Sequence, residues 1–106
     1  MPKRINKVLE RFKKEARRLY SDRLKAVILY GSWARDEATA SSDIDLIVVL
    51  KGKVTPGKEI DRMIDIVTDI LIEHGELISL YPVSERSYES LRSPLLMNAR
   101  KEGILA

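Results

Sequence analysis

The chain has 106 residues, 44% of them hydrophobic and 33% charged, which suits one globular domain with a modest single core. It has no cysteine and one histidine, His74, so disulfides, thiolate catalysis, cysteine-ligated zinc and multi-histidine metal sites are excluded. The net charge of +3 is uneven: residues 3–18 hold eight basic side chains against Glu10 and Glu15, a balance of +6, so the remainder carries −3.

In chain order, Ile5, Val8, Leu9, Phe12, Ala16, Leu19 and Tyr20 recur at three- and four-residue spacing. This predicts an amphipathic helix starting just after Pro2, with the basic residues on its other side. That basic side reads first as a solvated face, and secondly as ground for nucleic acid, a triphosphate or an acidic protein. Leu24 to Tyr30 is a short apolar run stopped by Gly31, the pattern of a buried strand entering a tight turn. Asp43 to Leu50 is a second such run, ended by Lys51-Gly52-Lys53. After the Thr55-Pro56-Gly57 break, Ile60, Met63, Ile64, Val67, Ile70 and Leu71 keep helical spacing up to His74, with Gly75 as C-cap. Leu77 to Val83 reads as a third strand, where Pro82 indicates an edge position or the strand's end. Ser84 to Leu91 forms a short helix, and Pro94 to Glu102 another, capped by Ser93 and closed by Gly103.

The expected architecture is an α/β (α+β) domain spanning residues 1–106: a small mixed sheet of about three to four strands, flanked by helices and covered mainly on one face. No apolar stretch approaches membrane-spanning length, and the charged N-terminus lacks the apolar core of a signal peptide. The expectation is a cytoplasmic chain without a membrane role.

The chemistry concentrates between Tyr30 and Val49. Asp43 and Asp45 flank one apolar residue at the start of a β-branched run, so alternation along the strand points both carboxylates the same way. They can share a divalent cation, and oxygen ligands of this kind suit Mg²⁺ held together with a substrate's phosphates. Upstream, Gly31 lets the backbone turn sharply and approach a phosphate, while Ser32 adds a hydroxyl donor. Arg35, about one turn on, reaches a phosphate or the acid pair. Gly-Ser after a strand is alone a turn, and Asp-X-Asp alone a polar strand end. Flanking one short excursion between two apolar runs, they are a nucleotide pocket.

Gly31-Ser32, Arg35, Ser42, Asp43, Asp45 and Leu46 together resemble the DNA polymerase beta-like nucleotidyltransferase superfamily, and within it the minimal nucleotidyltransferases. Members typically carry Gly-Ser-X-Ala-Arg-Gly followed by Ser-Asp-X-Asp-Leu; here Asp36 stands where that last glycine is common, which implies a stiffer loop. The element order and the Ser93–Ile104 ending also fit, so the resemblance covers nearly the whole chain. It implies transfer of a nucleoside monophosphate, AMP from ATP, to an acceptor hydroxyl. Asp43 and Asp45 would act as catalytic metal ligands for one or two Mg²⁺, and Gly31, Ser32, Arg35 and Ser42 would bind the nucleotide's phosphates.

The same resemblance implies a third carboxylate on a neighbouring strand. The third strand offers Ser79 at the apolar-flanked position and Glu76 only at its entrance, while Asp61, Asp65 and Asp69 recur at four-residue spacing as a solvated helix face. Glu76 is therefore the weak candidate for a third metal ligand. Trp33 reads as a base-stacking or a packing residue, His74 as a dipole partner, and Tyr30 and Tyr81 as packing. Lys51 and Lys53 read as turn lysines. Minimal nucleotidyltransferases are commonly paired with a helical HEPN protein in a toxin-antitoxin module, so the resemblance implies that acceptor, with a homo-oligomer left open. The alternative is a weak or inactive nucleotide-binding module that masks its partner, which the missing third acid favours. Nucleic-acid binding through the basic helix is the least supported reading, because aromatic stacking residues are sparse.

Overall fold

The computed structural model describes residues 1–90 and 93–106, with backbone alone at 100 and 101. The elements run α1 (Lys3–Tyr20), a short 3₁₀ turn (Ser21–Arg23), β1 (Leu24–Tyr30), β2 (Ile44–Leu50), α2 (Pro56–His74), β3 (Ile78–Ser84), α3 (Glu85–Ser90), α4 (Pro94–Glu102) and β4 (Ile104–Leu105). The sheet order is β3-β2-β1-β4. β1 is antiparallel to both β2 and β4, while β3 is parallel to β2, with α2 as the crossover between them.

Alternation along the strands divides the core in two. Leu24, Val27 and Leu29 of β1 and Ile44, Leu46, Val48 and Leu50 of β2 face α1 and α2, where Ile5, Val8, Phe12, Met63 and Ile70 complete the larger cluster. Ile28, Ile47, Val49 and Val83 point the other way and meet Leu96 and Ala99 of α4. The two long helices thus cover one face, and a smaller cluster under α4 covers part of the other. Burial of this kind contributes about 25 cal/mol per Å² of apolar surface, so the first face carries most of the stabilisation.

Local chemistry sets the element ends. Gly75 adopts φ +70° and its N–H reaches the Leu71 carbonyl at 2.9 Å, closing α2. The Ser93 hydroxyl accepts the Leu96 N–H at 3.1 Å to open α4. Pro82 lies on the edge strand β3, where a missing N–H is tolerated. Glu59, only 4% exposed, accepts the Tyr20 hydroxyl at 3.0 Å and pairs with Arg23 and Arg62, tying α2 to the end of α1.

Three boundaries differ from expectation. β2 begins at Ile44 rather than Asp43, and β3 runs one residue later than predicted, through Ser84. The expected helix over Ser84–Leu91 is described as Glu85–Ser90, with Ser84 capping through its hydroxyl on the Ser87 N–H; Leu91 lies outside the described residues. β4 was not anticipated. Two residues have no readable period, and the strand exists because Gly103 turns the chain back beside β1, where Ile104 and Leu105 pair with Leu29 and Ile28.

Candidate active site

β1 delivers Tyr30 opposite Asp45 of β2, and the chain then turns at Gly31 with φ +72°. Residues 31–36 make a helical turn: the Arg35 N–H bonds to the Gly31 carbonyl at 3.1 Å, and the Glu37 N–H to the Ser32 carbonyl at 2.9 Å. The turn closes directly over the acid pair. A Cβ at Gly31 would overlap the Asp45 carboxylate, lying 3.2 Å from its Cγ and 3.4 Å from its Cβ. Only glycine satisfies both the left-handed φ and this approach.

Asp45 is half-buried and Asp43 exposed, just ahead of β2. Burial raises the Asp45 carboxyl above its ordinary value, the neighbouring Asp43 charge raises it further, and Arg35 opposes them. The three side chains therefore share one electrostatic environment. Tyr30 is also raised, first by burial, then by the charge of Asp45 and by Tyr81. Arg35 pairs with Glu37 at 3.2 Å and with Glu102 of α4 at 3.9 Å. Beside it, Tyr30, Gly31, Arg35, Leu95, Asn98, Ala99 and Glu102 line a cleft of about 160 Å³.

The remaining sequence candidates separate. Ser42 turns its hydroxyl to the Thr39 N–H at 2.9 Å, and its carbonyl accepts the Trp33 indole N–H at 3.3 Å, so it holds the loop's shape. Trp33 packs against the larger core with the Arg4 guanidinium 5.5 Å from its ring centre, which makes it a packing residue in this arrangement. Glu76 is buried at 7% exposure and bound to Arg4 at 2.9 Å. Ser79 is the register partner of Asp45 on β3. Asp61, Asp65 and Asp69 are exposed on α2, as expected of a solvated face. Among the described residues, no group of three or more His, Cys, Asp or Glu gathers to hold a metal.

Two features escaped the sequence reading. The Tyr30–Asp45 pairing depends on strand register, which the hydrophobic pattern of two mostly apolar runs does not encode. The wall supplied by Asn98 and Glu102 depends on α4 folding back over the sheet. Asp36 adopts φ +58°, a left-handed position that explains why glycine suits it elsewhere and that aspartate tolerates.

A mixed sheet that sets a glycine-led turn against a carboxylate pair is the arrangement expected of a nucleotidyltransferase domain. The chain belongs to the nucleotidyltransferase domain family, which matches residues 9–100. Similar chains from Methanocaldococcus jannaschii carry the name "Putative protein adenylyltransferase". MJ1305 is 36% identical over 86% of this chain and 62% of its own length, and MJ0604 is 34% identical over 77% and 76%. The chain thus spans less than two thirds of MJ1305. A chain from a crystal structure of a toxin-antitoxin with AMP-PNP superposes with TM-score 0.62 at 16% identity, covering 91% of this chain and 70% of that one. A crystal structure named as a putative nucleotidyltransferase from Sulfolobus solfataricus gives TM-score 0.61 at 16% identity, covering 99% and 86%. At that identity the two structures speak for the fold. Among the described residues, no helix is long and apolar enough to cross a membrane.

Proposed function

We propose that residues 1–106 act as one Mg²⁺-dependent nucleotidyltransferase domain that moves AMP from ATP to a hydroxyl of a partner protein. The observation carrying this reading is the approach of Gly31 to Asp45: the turn that offers amides to a phosphate and the carboxylate suited to a cation on that phosphate adjoin in one pocket. The donor set fits Mg²⁺. Asp43 and Asp45 are hard oxygen ligands at an open strand end, and the like charge already raising Asp45 is what a bound cation relieves.

In this reading Asp43 and Asp45 hold the ion, and the Gly31–Ser32 amides with the Ser32 hydroxyl grip the β- and γ-phosphates. When bound, Mg²⁺ supplies charge neutralisation on the phosphoryl oxygens. Arg35, now shared between Glu37 and Glu102, exchanges a surface carboxylate for a phosphate. Ser42 contributes by shaping the loop. The half-buried Tyr30 phenol stays protonated beside Asp45 and serves as a donor. Preorganised donors of this kind act on the developing charge without reorganisation.

The name borne by the curated relatives supports a protein acceptor, and the toxin-antitoxin neighbour supports a dedicated partner. We take that partner to be a helical HEPN protein modified on a tyrosine, with this chain as the antitoxin. Use of ATP points to the cytoplasm. The second reading, a module that binds nucleotide and masks its partner, is favoured by the lack of a third acid beside the pair among the described residues. Incubation of the chain with a co-purified helical partner, ATP and Mg²⁺, followed by intact-mass measurement, separates the two. A gain of one AMP on the partner, absent with Asp45→Asn, supports transfer. Calorimetric binding of ATP and Mg²⁺ with no mass gain on any partner selects masking, and no binding refutes both.

A further inference from the structure

We infer that the pocket takes a single divalent cation with its nucleotide, and that Ser79 is the residue that fixes this stoichiometry. The inference rests on the nucleotidyltransferase reading and narrows its chemistry. One rung of the sheet runs Tyr30, Asp45, Ser79 across β1, β2 and β3. Strands lie about 4.8 Å apart, and side chains of register partners leave the same face, so the groups flanking Asp45 along the sheet are a phenol and a hydroxyl. Neither is an anionic ligand at neutral pH.

Among the described residues no third His, Cys, Asp or Glu gathers with Asp43 and Asp45 to hold a metal. Glu76 is buried on Arg4 at 2.9 Å, and Glu37 and Glu102 lie 3.2 and 3.9 Å from Arg35. Two Mg²⁺ ions, each demanding near-octahedral oxygen coordination, would have to share Asp43 and Asp45 alone. The pair suffices for one ion bridging to the phosphates. Ser79 occupies the β3 position beside Asp45, from which a further carboxylate would reach the same ion space, and it is exposed, so an acid there keeps its hydration.

The test counts Mn²⁺ by electron paramagnetic resonance, with each protein saturated by α,β-methylene ATP, whose α–β bridge is not cleaved. The expected result is one ion per chain for the wild type and for Ser79→Ala, and two for Ser79→Asp. Two ions on the wild type overturn the inference and leave the nucleotidyltransferase reading standing. A wild type that retains neither the nucleotide nor any Mn²⁺ overturns both. Loss of the ion in Ser79→Ala makes the hydroxyl itself a ligand and overturns the assignment, as does a folded Ser79→Asp, checked by circular dichroism, that still holds one.

Discussion

Replacing Gly31 by alanine tests whether the Gly31 turn and the acid pair form one unit. Gly31 sits at φ +72°, where an L-residue carries a penalty of about 1–2 kcal/mol. Part of that is offset by the lower entropy of the unfolded alanine chain, about 0.4–1 kcal/mol. Gly52 provides the control: its φ is +84°, and nothing lies within 4 Å of a Cβ added there. Gly52→Ala therefore reports the backbone term alone, about 1 kcal/mol. Gly31→Ala adds the collision with the Asp45 carboxylate, an overpacking cost of about 1–3 kcal/mol unless that side chain moves. Since 1 kcal/mol shifts the melting temperature of a domain this size by about 4–8 °C, Gly31→Ala should melt at least about 4 °C below Gly52→Ala. If Asp45 moves instead, stability is spared and affinity for ATP with Mg²⁺ falls, by about tenfold for each 1.4 kcal/mol. In an Asp45→Ala background the excess over Gly52→Ala should largely vanish, because the carboxylate is gone. Scanning calorimetry and titration calorimetry read the two effects. If Gly31→Ala matches Gly52→Ala in melting temperature and also binds nucleotide like the wild type, the coupling of turn to acid pair is wrong.

The raised Asp45 carboxyl gives a pH prediction: a group whose folded value lies above its unfolded one contributes stability below the unfolded value, near 3.9, and loses it as pH rises through the folded value. Metal-free wild type should therefore melt below Asp45→Asn at pH 7, with the gap closing toward pH 4, and Mg²⁺ with ATP should restore only the wild type. Arg4→Ala leaves the Glu76 carboxylate buried without its partner and should cost about 1–3 kcal/mol in urea unfolding, with part recovered by adding Glu76→Gln. A double-mutant cycle that is additive would show that the pair contributes nothing.

What the sequence revealed and what it withheld follow from the range of the forces involved. α1 and α2 were legible because a three- and four-residue apolar period survives in any single helix, and the caps at Gly75 and Ser93 are local chemistry. β1 was legible from its apolar run and Gly31. The nearness of Asp43 to Asp45 was legible from their spacing, and the Asp43 charge acts on Asp45 although Asp43 lies just ahead of β2. Ser79 was legible as the apolar-flanked position on the third strand, but the place of Tyr30 opposite Asp45 was not, since it is set by register, a relation between segments distant in sequence. Glu76 shows the same limit in reverse: its position before β3 suggested a ligand, whereas Arg4, 72 residues away, claims it. Trp33 reads equally as stacking or packing in the sequence, and the Arg4 guanidinium over its ring belongs to the packed arrangement.

The loop of residues 31–43 also joins β1 to β2, the two central strands of the sheet. A nucleotide that orders this connection therefore acts at the middle of the molecule and not on a peripheral flap. Its binding is linked to the stability of the whole domain, about 2.7 kcal/mol at a ligand concentration one hundred times the dissociation constant. On the proposed ATP-binding reading, a fall in the ATP supply raises the unfolded fraction of this chain, so its lifetime against proteolysis becomes a readout of the nucleotide pool.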